Sequence, residues 1–358
     1  MKKFFLFSAI FFFLAGAGHS QFQLGGSYEN DIAFVIRPGG SPTLADVNRL
    51  RLKVDYDPGS NFTVHLEPRY YCLIKTEDIP LIGVTDMDKV VWDRYYAKAF
   101  LPLLSVTAGK QRIAWGTGYI WNPTDIFNTY VLSFAITDEE KINVEAVRLE
   151  IPLGQASGLD GWVLTGPSQK KGLRAKATLG LFDLGLSYVD RADGTSQAGL
   201  DFAGDAWLFG VRGEVVVLSG SRQMLVMLGS DYTFDNGVGL SAEYFYNGLG
   251  QSRSANYDWT SYYAGAIPAL ARDYLYLGTN KILDELTTVN FSLLANLNDE
   301  SFIFYPSYAR SLAQNLDIYL QASIVGGRVG SEFYPPPSQD PTGFAGSKLL
   351  LMKVKYSF

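Results

Sequence analysis

The chain has 358 residues, is 47% hydrophobic and 14% aromatic, and carries a formal net charge of −6. That balance argues against a nucleic-acid binder, which shows a basic patch or a high isoelectric point. A single cysteine, Cys72, excludes an intramolecular disulfide, so backbone pairing and burial must hold the fold.

Lys2 and Lys3 open the chain, an apolar run follows from Phe4 to Ala17, and small residues lead to Ser20. This is the layout of a secretory signal peptide, and the run is shorter than the ~20 residues of a membrane-spanning helix. The expectation is a leader over 1–20 and a mature start at Gln21. No cysteine near the cut supports a lipid anchor. Beyond the leader no apolar run reaches helical spanning length. The apolar residues alternate instead, as a strand between lipid and water requires.

Arg49 to Asp57 shows the pattern best. Arg49, Arg51, Lys53, Asp55 and Asp57 share one face, and Leu50, Leu52, Val54 and Tyr56 the other. Asp57-Pro58-Gly59-Ser60 is a tight turn. Asn61, Thr63, His65 and Glu67 then alternate with Phe62, Val64 and Leu66, and Pro68 predicts a bulge. Arg94 and Lys98 head the polar face of a further strand. Over residues 105–113 neither face is clean: the even positions are Val106, Ala108, Lys110 and Arg112, and the odd ones Ser105, Thr107, Gly109 and Gln111. The inward face stays open there. Later strands alternate at Arg174/Lys176, Arg212/Glu214, Ser241/Glu243, Thr288/Asn290/Ser292 and Asp317/Gln321/Ser323.

Splitting 196–217 at Gly204-Asp205 gives an even count of 18 strands, with 16 as the alternative. An even count matches single-chain barrels with both termini on one side. The predicted fold class is all-β: a transmembrane antiparallel β-barrel over 21–358 with no separate plug domain. Its long connections fall at 37–46, 76–89, 114–142, 250–271 and 328–346.

The stretch from Lys110 to Phe127, KQRIAWGTGYIWNPTDIF, begins as a strand and ends with helix-start chemistry. Asn122 can cap, Pro123 takes the first helical position, and Asp125 lies in the first turn. It resembles the RQ…WG…WNPTD.F pattern of a loosely characterised group of porin-like outer-membrane proteins. That resemblance covers mainly this stretch and implies a barrel, not a substrate. Two readings stay open. In one, the loop 114–142 folds inward as a constriction. Trp115, Trp121, Asn122, Asp125, Asp138, Glu139 and Glu140 then face a pore wall of Arg49, Arg51, Lys53, Arg94, Lys98 and Arg112, and the opposed charges set up a transverse field. In the other, the loop is an external cap packed by its own aromatics. The wall charges can also neutralise one another across strands.

Tyr257, Trp259, Tyr262 and Tyr263 could stack on sugar rings or outer-leaflet glycolipid, or pack internally. His65, the one histidine after the leader, reads as a polar wall residue beside Glu67. No zinc, EF-hand or P-loop spacing is present. No enzyme activity, cofactor or metal is expected.

The final strand places Leu350, Met352, Val354, Tyr356 and Phe358 on one face and Lys353, Lys355 and Ser357 on the other. It resembles the last strand of bacterial outer-membrane barrels, whose terminal aromatic is an assembly signal. The resemblance implies the barrel-assembly machinery, through Phe358, and outer-membrane lipids and glycolipid as partners. The expected job is passive diffusion of small hydrophilic solutes with a mild anion preference. The alternative is an export or binding barrel for polysaccharide or a hydrophobic compound. A homo-oligomer is compatible with the pattern, though nothing demands one.

Overall fold

The computed structural model describes residues 21–38, 40, 42–59, 61–75, 89–127, 142–154, 156–166, 169–192, 194–220, 223–340 and 345–358. The predicted leader, and Asp138, Glu139 and Glu140, lie outside the described residues.

Eighteen strands form one sheet. The first six are β1 (Phe22–Ile36), β2 (Thr43–Tyr56), β3 (Phe62–Lys75), β4 (Val90–Phe100), β5 (Ser105–Arg112) and β6 (Asn143–Pro152). Then come β7 (Gly158–Leu164), β8 (Lys171–Leu179), β9 (Phe182–Asp190), β10 (Ser196–Ala206), β11 (Phe209–Leu218) and β12 (Met224–Thr233). The last are β13 (Val238–Asn247), β14 (Asp273–Asp284), β15 (Thr287–Asn296), β16 (Phe302–Ala313), β17 (Leu316–Gly326) and β18 (Lys348–Ser357). Each pairs antiparallel with its sequence neighbour, and β18 pairs with β1 from Ser27↔Ser357 to Ile36↔Lys348. The ring is closed, so no sheet edge is left unpaired. The backbone of Phe358 completes the seam: its N–H donates to the Gly26 carbonyl at 3.0 Å and its carbonyl accepts from the Gly26 N–H at 2.8 Å.

The predicted split of 196–217 is present, three residues further on: β10 runs to Ala206 and the turn is Trp207-Leu208, with Trp207 at φ 58°. The first predicted long connection is shorter than expected, because β1 and β2 stay paired to Val35↔Thr43. The register shift between Glu67 and Pro68 against β4 is the predicted bulge. It lets β3 pass a proline without leaving the ladder. The structure also resolves the face of β5. Thr107 pairs with inward Lys98 and Gly109 with inward Tyr96, so the odd positions face in and Lys110 and Arg112 face out.

The outward side chains sort by height. Phe22, Phe62, Phe100, Phe209, Phe234 and Tyr356 are exposed at the short-turn end. Phe34, Tyr70, Trp92, Tyr188, Tyr244 and Phe302 are exposed towards the other end. Leu186, Leu200, Leu228, Leu277 and Leu320 lie exposed between them. An aliphatic band between two aromatic girdles is the surface of a barrel embedded in lipid. No helix among the described residues is long and apolar enough to cross a membrane, a fact that concerns helices only. The longest described helix is a short one, α1 (Trp259–Tyr263), in the connection after β13.

Candidate functional site in the barrel interior

The interior wall of β1–β4, β6 and β7 is a ladder of paired charges. The Arg49 guanidinium lies 2.9 Å from Glu29 and 2.5 Å from Asp31. Glu67 is fully buried and is approached by Arg51 at 3.3 Å, Arg69 at 3.5 Å and Arg94 at 3.9 Å. Arg69 also meets Asp93, the residue that the β3–β4 register shift displaces. Lys98 lies 2.8 Å from Glu150, and Arg148 reaches Asp160 at 2.7 Å. His65 is held between Asp55 at 2.6 Å and Glu67 at 3.3 Å, with its ring stacked on Tyr96. Charges taken out of bulk water need such partners. Five of the six predicted wall cations, Arg49, Arg51, Lys53, Arg94 and Lys98, therefore do share the interior wall. Arg112 does not: it is exposed on the outer face of β5, so the pore-lining expectation fails for it. Lys53 has no carboxylate within 4.0 Å among the described residues, and neither does Lys176 on β8.

Residues 113–127 leave β5 and turn into the barrel. Two glutamates from the far wall hold them. Glu214, near the middle of β11, accepts the Thr117 N–H at 2.6 Å and the Gly118 N–H at 3.2 Å on one oxygen. Its other oxygen accepts the Thr124 N–H at 2.9 Å and the Thr124 hydroxyl at 2.7 Å. Glu243 on β13 accepts the N–H of Tyr119, and that of Ile120 at 2.9 Å. Irregular backbone inside a barrel leaves N–H groups with no ladder partner, and these two carboxylates supply one. Arg212 lies 3.8 Å over the Tyr119 ring.

The two tryptophans anchor the segment by burial. Trp121 is 0% exposed, stacks on Phe245 at 4.2 Å and packs against Tyr274 at 4.9 Å. It belongs to a cluster with inward Val216, Leu218, Leu225, Met227 and Leu294. Trp115 donates to Asp160 at 3.0 Å and packs on Trp162, which also meets Phe127. The glycines between them are required. Gly116 has φ 91°, and a Cβ there would lie 2.7 Å from Glu214. A Cβ on Gly118 would lie 1.9 Å from the Trp121 carbonyl oxygen.

Asn122 and Asp125 are buried to 2% and 1%. Asp125 accepts the Phe127 N–H at 3.1 Å, and its own N–H donates to the Asn122 carbonyl at 3.0 Å. The helix-start chemistry thus closes a turn, and no helix begins among the described residues up to Phe127. Asp125 is a turn residue rather than a charge presented across an open pore. Glu214 and Glu243, which grip the loop, resemble every other inward acid in the sequence. Their only signal there is a carboxylate in mid-strand with no cation at alternating spacing in its own strand, and Glu214 lacks even that, standing two residues from Arg212.

Above this segment the connections after β13, β15 and β17 lock together. Glu332 accepts from the Leu270 N–H at 3.0 Å, the Tyr274 hydroxyl at 2.5 Å and Asn296 at 2.8 Å. Asp299 accepts the Glu332 N–H at 2.8 Å and the Tyr257 hydroxyl at 2.9 Å. Burial pushes the Glu332 carboxyl up to about 7 and raises the Tyr257 phenol as well. Trp259, Tyr262 and Tyr263 of this cap pack on one another. No group of three or more potential metal ligands occurs among the described residues.

No protein-family model and no curated protein matches the chain. Solved structures do match over most of its length. A chain described under "Asymmetric conductivity of engineered proteins" is 13% identical, with a TM-score of 0.53 over 94% of this chain and 100% of that one. A mutant of Rh. blastica porin is 14% identical, with a TM-score of 0.52 over the same shares. A second mutant of that porin gives the same identity and score. At such identities the likeness is one of fold, and that fold is a porin-like closed antiparallel barrel.

Proposed function

We propose that this chain is a bacterial outer-membrane channel for passive diffusion of small hydrophilic solutes. The observation that carries the reading is a closed ring with a girdled apolar exterior and a charged and polar interior, narrowed by a segment clamped at mid-height. Lipid takes the outside, and water and solutes take the inside. The finer features are a constriction built by residues 113–127 and a weak anion preference. Lys53 and Lys176 carry that preference, because Arg49, Arg51, Arg94 and Lys98 each face carboxylates.

The test is single-channel conductance of refolded protein in a planar bilayer under a salt gradient. A stable open current with a small potential of the anion-selective sign supports the reading. A barrel that is demonstrably folded but silent defeats it, and favours a binding or export barrel with residues 113–127 as its plug.

A further inference from the structure

The interior has two chemically different walls. Charged side chains recur on the inward faces of β1–β4, β6–β8, β10, β11 and β13, and again on β17 and β18. From β14 to β16 they stop: no inward position at 274–282, 288–296 or 303–311 is charged. The strand register sets four of these interior residues side by side. Asn280 pairs with Asn290, Asn290 with Ser307, and Ser307 with Gln321 of β17. The row crosses four strands at one level, and none of its members is buried. One step away, the Tyr276 hydroxyl meets Ser292 at 3.2 Å, and within the row Asn290 donates to Ser307 at 3.3 Å.

We propose that this row is a binding track for uncharged polyhydroxylated solutes, that is, sugars and polyols. The inference rests on the channel reading and names a substrate class for it. A carboxamide offers two donors and an acceptor, and a hydroxyl offers both. A solute hydroxyl also donates and accepts, so a run of such groups can replace its water shell one bond at a time. A carboxylate or ammonium wall matches only half of that chemistry and attracts ions that compete. The ring of Tyr276 adds a flat apolar face beside the row, suited to the C–H face of a sugar. Ions are drawn to the rest of the wall, where the charges lie.

The experiment is block of the single-channel current by glucose and by sorbitol. A short polyethylene glycol of matched size is the control, since its ether oxygens only accept along its length. The expected result is saturable interruption of the current by both polyols at concentrations where the polyether has little effect. In the double variant Asn290→Leu/Gln321→Leu the half-blocking concentration should rise about tenfold, with the salt-gradient potential unchanged. If that variant does not refold, Asn290→Ala/Gln321→Ala carries the same expectation. Equal block by polyol and polyether, or equal block of wild type and a folded variant, overturns the inference and leaves the channel standing. A silent wild-type barrel overturns both.

Discussion

Glu332 shows how much one side chain can govern. Its carboxylate collects three donors, and the charged side chain that shares that network is Asp299, also an acid. Burial therefore outweighs the hydrogen bonds and raises its pKa to about 7. The packed loops hold the proton more tightly than the unfolded chain does. Their stabilisation by this group is fully present below the ordinary value of 4.5 and is lost as pH rises through about 7. Across that window the slope is about 1.4 kcal/mol per pH unit. Limited proteolysis of the cap should accelerate between pH 5 and pH 8, and Glu332→Gln should flatten the profile. A wild-type profile already flat over that range would refute the assignment.

At the scale of the element, residues 113–127 are held by charge and by packing at once. Glu214 takes four hydrogen bonds, and Trp121 is wholly enclosed. Glu214→Gln keeps the shape but turns one acceptor into a donor facing N–H or O–H groups, at a cost of about 1–3 kcal/mol. The barrel should still form, because its ladder does not involve that side chain. The single-channel current of Glu214→Gln should therefore become noisier and larger on average than that of wild type. An unchanged trace would mean that the segment does not bound the conducting path. Much of this element was legible in the sequence: paired glycines and two tryptophans allowed a compact fold-back, although Asn122-Pro123 reads as a helix start where the described residues close a turn. Its partners were not. Which wall receives a loop depends on the closure of the ring, and no local pattern encodes that. The face of β5 was ambiguous for a simpler reason. Lys110 points outward and rescues itself by donating to the Trp92 carbonyl at 2.7 Å, so a cation stands on a face that alternation reserves for apolar residues. In β2 the charges from Arg49 to Asp55 all point inward, and their alternation was legible, though the sequence pattern puts the start of the strand at Thr43 in a loop.

For the whole molecule, selectivity is a residue left after cancellation. The inward arginines are numerous, yet they stand next to acids, and the field that a permeating ion meets comes from the cations without such neighbours. The double variant Lys53→Glu/Lys176→Glu should move the reversal potential towards cation selectivity by more than Arg51→Glu does, since Arg51 already answers Glu67. Reversal potentials ranked the other way would place the narrowest point beside β2 and β3 at the height of Arg51.

The seam between β1 and β18 has a consequence in time. Its two strands lie at opposite ends of the sequence, so β1 can have no partner on one side until the last strand is in place. Until then the growing sheet exposes two raw edges, each a template for pairing with another copy. Loop-closure entropy makes the final join slow, and no earlier intermediate is free of the hazard. A chain arrested before Lys348 would thus be an open ribbon with sticky borders, prone to polymerise rather than merely a smaller barrel.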